Sequence, residues 1–119
     1  MRVRLADIAA ARSGDKGNHA NIGVVPLNHT SYLFLQRALS AQIVAQHFQS
    51  LKPTSVLRYD LPHLESLNFV LENVLEGSGS LSLRLDSQGK ALAKALLELN
   101  LEMTDEDLVQ CLPLPGDTQ

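Results

Sequence analysis

Arg12-Ser13-Gly14-Asp15-Lys16-Gly17-Asn18-His19-Ala20-Asn21-Ile22-Gly23-Val24-Val25 carries the signal that decides the fold class. Gly14 and Gly17, set among Asp, Lys and Asn, read as a polar loop over residues 13–18. Ile22-Gly23-Val24-Val25 reads as a strand that Pro26 ends. Upstream, Val3 and Leu5 alternate with Arg2 and Arg4, so residues 2–11 read as a second strand, weakened at its end by Ala9-Ala10-Ala11. Two strands joined by a short polar loop make an antiparallel pair.

The rest of the chain alternates between helical and extended patterns. Thr30 and Ser31 suit the N-cap of a helix running to about Leu39. Ser40 suits the cap of another, with Ile43, Val44, His47, Phe48 and Leu51 on one face and Pro53 as its stop. Residues 55–60 read as a third strand. Pro62 then suits a helix start, with Leu64, Leu67, Leu71, Val74 and Leu75 as its stripe and Gly77-Ser78-Gly79 as its end. Leu81, Leu83 and Leu85 alternate with Ser80, Ser82, Arg84 and Asp86, a strand with one wet face. Ser87 caps a last helix with Leu92, Leu96 and Leu99 inward. The expected order is β-β-α-β-α-β-α. A two-layer α+β domain, a small mainly antiparallel sheet with helices on one face, satisfies it most simply.

Composition bounds the function. The chain has 119 residues, the length of one domain, and it is 45% hydrophobic and 19% charged. Residues 1–102 are expected to form the domain and 103–119 a C-terminal tail. A net charge of −3 with scattered basic residues argues against nucleic-acid binding by a basic face. No signal-peptide core or bilayer-length apolar run is present, so a cytoplasmic protein without membrane contact is expected. The single cysteine, Cys111, excludes an internal disulfide and a cysteine-based zinc site, and the four histidines lack metal-ligand spacing.

Three polar constellations are candidate ligand-binding or interface sites. The first is Arg12, Ser13, Asp15, Lys16, Asn18 and Asn21, where Gly14 and Gly17 would let backbone N–H groups form an anion nest. Its alternative is a hairpin turn with a salt-bridged rim. The second is Arg84, Asp86, Gln88 and Lys90, where a strand face meets a helix N-terminus that favours anions. Its alternative is a capped helix beside a solvated strand. The third is Arg58 and Asp60, sharing a strand face, with Asn68 interrupting an apolar stripe, and its alternative is a structural hydrogen bond. His19 is the one histidine beside these residues, either an acid or base or a solvated loop side chain. No nucleophile–base pair or carboxylate dyad is placed by spacing, so catalytic residues and cofactor stay unassigned.

These stretches carry a family likeness. Ala11-Arg12-Ser13-Gly14-Asp15-Lys16-Gly17-Asn18 followed by Asn21-Ile22-Gly23-Val24 resembles the opening motif of the AtuA-like C-terminal domain. That is the ferredoxin-fold-like domain at the end of acyclic terpene utilisation protein A and its relatives. Arg58-Tyr59-Asp60-Leu61-Pro62, Leu67-Asn68-Phe69-Val70-Leu71 and Ser82-Leu83-Arg84-Leu85-Asp86-Ser87-Gln88-Gly89-Lys90 are similar to it as well, in order, from about Val3 to Leu97. Gly77-Ser78-Gly79 departs from the longer glycine run usual in the family.

The resemblance implies a ferredoxin-like fold and a link to acyclic terpene breakdown or related acyl-CoA metabolism. The family's domain often follows a much larger one, so an AtuA-like large-domain protein, separately encoded, is the expected partner. The resemblance also favours convergence of the three constellations on one site. Two other readings stand beside a small subunit: an autonomous binding module or enzyme for an acidic small molecule, and a structural domain that forms a homodimer.

Overall fold

The computed structural model describes residues 2–16, 19–74 and 90–107, and of Asp15, Lys16 and Lys90 only the backbone. Its centre is an antiparallel sheet of four strands in the order β2-β3-β5-β4. These strands are β2 (Ala9–Lys16), β3 (His19–Pro26), β4 (Ser55–Leu61) and β5 (Ser66–Glu72). Two short strands, β1 (Arg2–Arg4) and β6 (Asn100–Glu102), make a separate antiparallel ribbon.

The alternation of side chains gives the sheet two unlike faces. On β3, Ala20, Ile22 and Val24 are buried, and on β5 Leu67, Phe69 and Leu71 are. Register puts them side by side: Ala20 faces Leu71, Ile22 faces Phe69 and Val24 faces Leu67. A period of two sends the intervening residues to the other side.

The helices cover the buried side. Helix α1 (His29–Ala38) starts at Asn28 and not at Thr30 or Ser31, the caps expected from the sequence, because the Asn28 side chain accepts from the Ser31 N–H; the helix buries Tyr32, Phe34 and Leu35. Helix α2 (Ala41–His47) starts at Ser40, whose hydroxyl accepts from the Ile43 N–H, as the sequence suggested. Helix α3 (Lys90–Leu97) buries Leu92 and Leu96. The α+β class, with an antiparallel sheet and helices on one face, is therefore as the sequence implies.

Three further readings are corrected. First, residues 2–11 are not one strand. A 3-10 turn over Leu5–Asp7 breaks them, held by the Asp7 carboxylate accepting from the Arg4 N–H at 3.2 Å. The turn buries both Leu5 and Ile8 and passes the chain from the ribbon to the sheet. Second, the segment from Pro62 is not a helix. Residues 62–65 are a turn, and β5 follows. Leu67 and Leu71 fit either period, but only a strand buries Phe69 while leaving Asn68 outside. Pairing on both sides, with β3 and β4, decides the matter, since tertiary context overrides a helical stripe. Third, Arg12–Lys16 are strand and not loop, paired residue for residue with His19–Gly23.

The β6 strand was not foreseen. It is three residues long and pairs Leu101 with Val3, both buried. Met103, just beyond it, is buried in the same core. The strand expected at residues 80–86 and the cap at Ser87 lie outside the described residues.

Phe69 is fully buried at the centre of the sheet, between Ile22 and Arg58. Removing such a ring typically costs about 3–5 kcal/mol. Urea unfolding of Phe69→Ala is expected to show a loss of that size, and Phe69→Leu a clearly smaller one.

Candidate functional site

The face of the sheet away from the helices carries two rows of side chains across all four strands. Arg12, Gly23, Asn68 and Tyr59 form one row, and Gly14, Asn21, Val70 and Leu57 the next. Arg12 and Asn21 are exposed, and Asn68 and Val70 half-buried. The Asn21 Nδ2 donates to the Asn68 Oδ1 at 3.4 Å, linking the rows across the β3–β5 seam. Along β4, Leu57, Tyr59 and Leu61 stand in line, 38–49% exposed. Val25 adds a further open apolar side chain at 51%.

The face thus divides. Its β4 edge is apolar, and its β2–β3 half is polar with two glycines. Neither Gly14 nor Gly23 has a positive φ, so no turn requires glycine at either position. A Cβ at Gly14 would sit 3.3 Å from the Asn21 Oδ1, so this glycine makes room for the amide. A Cβ at Gly23 would meet only ordinary contacts, at 3.9 Å from the Arg12 carbonyl and the Asn68 Oδ1. Glycine inside a strand often marks a place where a ligand or another backbone comes close.

A cavity of about 260 Å³ opens on this face, lined by His19, Ala20, Asn21, Asn68 and Val70. His19 is half-buried on β3 rather than in a solvated loop. Its Nδ1 accepts from the backbone N–H of Asn73 at 3.1 Å. That bond places the ring proton of the neutral imidazole on Nε2, which is left as a donor.

Of the residues singled out from the sequence, Arg12, Asn21 and Asn68 come together on this open face. Two others do not. Arg58 faces the helices, and its Nη1 donates to the carbonyls of Gln36 (2.9 Å) and Leu39 (3.0 Å). It thereby satisfies carbonyls at the end of α1, where a cation also suits the helix dipole. Ser13 faces the helices too, its Oγ accepting from the Ala93 N–H at 3.1 Å. Arg58 pairs with Phe69 while Asn68 pairs with Tyr59, so Arg58 and Asn68 lie on opposite faces of the sheet. Asp15 and Lys16 end β2, and Lys90 opens α3, as backbone. Asn18, Arg84, Asp86 and Gln88 lie outside the described residues.

The nest reading of the first constellation does not hold at Gly14. A nest needs a left-handed residue, and Gly14 is extended opposite Asn21. Sequence reading passed over Gly23, Val70, Tyr59 and Leu57. The signal that finds them is the alternation Asn21-Gly23-Val25 against Ile22-Val24, once the segment 66–72 is taken as a paired strand.

Beside Arg58 on the helix side, Asp60 closes a polar cluster. Its carboxylate accepts from the Tyr32 hydroxyl at 2.5 Å and from the Gln36 Nε2 at 2.6 Å. The Tyr32 bond, then the Gln36 bond, hold the Asp60 carboxyl below its ordinary range. The same bond to Asp60, with burial, pushes the Tyr32 hydroxyl up to about 12. This cluster is a fastening between β4 and α1.

Among the described residues, no group of three or more His, Cys, Asp or Glu is placed to hold a metal ion. No described helix is long and apolar enough to cross a membrane.

The pattern of a two-faced antiparallel sheet backed by helices is that of a ferredoxin-like α+β domain. Comparison with family models makes the assignment specific: residues 3–102 match the AtuA ferredoxin-like domain, and the chain belongs to that family. Neither a curated protein nor a solved structure matches it significantly.

Two predictions follow from the geometry of the two faces. The Asp60 carboxyl is depressed on folding, so its contribution to stability is present above the ordinary value of 3.8 and fades as pH falls below it. The Tyr32 hydroxyl is raised, so its contribution is present below 10.0 and fades as pH rises toward about 12. Denaturation curves across pH should show both slopes, and Tyr32→Phe should flatten both. On the open face, Gly23→Ala should stabilise the fold by roughly 0.5–1 kcal/mol, the usual relief of a strand glycine. Gly14→Ala should gain less or lose, since it must displace the Asn21 amide. Thermal unfolding of the two variants distinguishes them.

Proposed function

We propose that this domain works as the small partner of an AtuA-like large domain, docking through the open face of its sheet. The observation that supports it is the row Leu57, Tyr59 and Leu61, exposed with Val25 on a face that no described helix covers. Aromatic and aliphatic side chains in a patch with a polar border are how protein interfaces are commonly built. Tyr59 is well suited to be an anchor, with a large apolar ring and a hydroxyl at its tip. The Arg12, Asn21 and Asn68 side chains border the patch and supply directional contacts. The family likeness supports a role in acyclic terpene or related acyl-CoA catabolism, in which this chain would contribute a wall of a shared site rather than a catalytic set of its own.

Co-purification tests the reading. The tagged chain should retain an AtuA-like large-domain protein expressed beside it. The double variant Leu57→Asp/Tyr59→Asp should release it, and Gln46→Glu on the exposed side of α2 should not. Absence of any complex with the wild-type chain would overturn the proposal. A chain that forms a homodimer, dissolved by the same double variant, would show that the face serves a second copy instead.

A further inference from the structure

The cavity of about 260 Å³ on the polar half of the open face has a hydrogen-bonding character of its own. His19 spends its Nδ1 on the Asn73 N–H and keeps an Nε2–H. The Asn21 and Asn68 amides share one hydrogen bond. Whichever way the two amides are turned, that bond uses one N–H and one carbonyl of the pair, so three N–H groups and one carbonyl oxygen are left over. As placed, the left-over carbonyl is the Asn21 Oδ1, directed toward Gly14. Among the described residues, those lining the cavity therefore offer mostly donors, and none of these is a carboxylate. Glu72, the next outward residue on β5, has its carboxylate engaged by the Ser55 hydroxyl. Arg12 stands on the same face across Gly23, whose missing side chain leaves the space between Arg12 and Asn68 open. Val70 supplies an apolar wall.

Donors that outnumber acceptors, a nearby guanidinium and an apolar wall select an anion with a hydrocarbon part. We propose that this cavity binds the carboxylate of a small organic acid: the His19 Nε2–H and the Asn68 amide meet its oxygens, and Val70 packs on its chain. The volume lies just below the range usual for ligand pockets, roughly 300 to 1,000 Å³, so a short acid fits, or the acid end of a longer one. The site lies on the polar half, which borders the docking patch proposed above, and its occupation is measured on the chain alone.

Nuclear magnetic resonance of the isotope-labelled chain tests this without any partner. Titration with butyrate near neutral pH should shift the side-chain amide signals of Asn21 and Asn68 and the ring nitrogens of His19, saturably. The neutral isostere butyramide should bind at least several-fold more weakly, and n-butylamine should leave these signals in place. Asn68→Ala should weaken butyrate binding about tenfold or more, as expected for a lost bond to a charged group. Asn21→Ala provides the same comparison through a second side chain, and the dispersion of backbone signals reports that each variant is folded. Three results would each overturn the assignment: no saturable shift at His19, Asn21 and Asn68; butyramide or butylamine binding as well as butyrate; or unchanged affinity in folded Asn68→Ala.

Discussion

The register between β3 and β5 is the constraint from which the rest of the structure follows. Ile22 stands against Phe69, and one residue along, Gly23 stands against Asn68. The first pair belongs to the core and the second to the open face. A slip of one residue would send glycine and asparagine into the core and a phenylalanine into water, so register is strongly specified here. The helix layer, the polar seam and the cavity all take their places from that alternation.

The core-facing side of β4 is less simple than that of its neighbours. Of its three inward positions, Val56 is apolar while Arg58 and Asp60 are charged. Both charges are used to hold α1. Arg58 takes carbonyls at the helix end, and Asp60 takes the side chains of Tyr32 and Gln36. Charged groups removed from water are tolerable only when their hydrogen-bonding capacity is met. Among the described residues no buried side-chain polar atom lacks a partner, so the cluster meets that condition. Such a fastening fixes direction more sharply than apolar contact, which can slide. It therefore sets how α1 lies across β4, while the aliphatic contacts supply most of the cohesion.

The α+β class, the existence of an antiparallel β2–β3 pair, both N-terminal helices and the inward stripe of α3 were legible because each rests on local signals such as alternation, polar caps and punctuating prolines, while the bounds of β2 and the cap of α1 were not. Segment 62–74 was not, for a definite reason. Leu67 and Leu71 are four apart and also even apart, so they satisfy both a helical and a strand period, and Pro62 suits a turn as readily as a first helical position. Only pairing partners far along the chain resolve the ambiguity, and a single sequence does not name them. The three residues of β6 are too few to show a period at all. The candidate site was legible in part for the same reason. Asn21 and Asn68 were recognised as polar residues among apolar ones, yet their union needed residue 68 to sit on a strand. For Arg58 the sequence offered both a site residue and a structural hydrogen bond, and local signals do not choose between them. The carbonyl ends of α1 that Arg58 serves are invisible in the sequence.

The open face combines residues that stability alone would not favour. Glycine and asparagine are poor strand formers, and here Gly14, Gly23, Asn21 and Asn68 occupy neighbouring positions in the middle of the sheet. The Asn21–Asn68 bond, at 3.4 Å, is too long to offset much of that cost. On the same face, β4 carries Leu57, Tyr59 and Leu61, good strand residues with apolar surface left open. The two halves meet where Tyr59 stands beside Asn68. On our proposed reading, a partner seated on Tyr59 would cover one side of the polar cavity and remove water from it. Hydrogen bonds from Asn68 and His19 to a bound carboxylate would then act in a less polar medium, where each is stronger. Partner and ligand would in that case favour one another's binding, and the coupling would be carried by the single shared border at Tyr59 and Asn68.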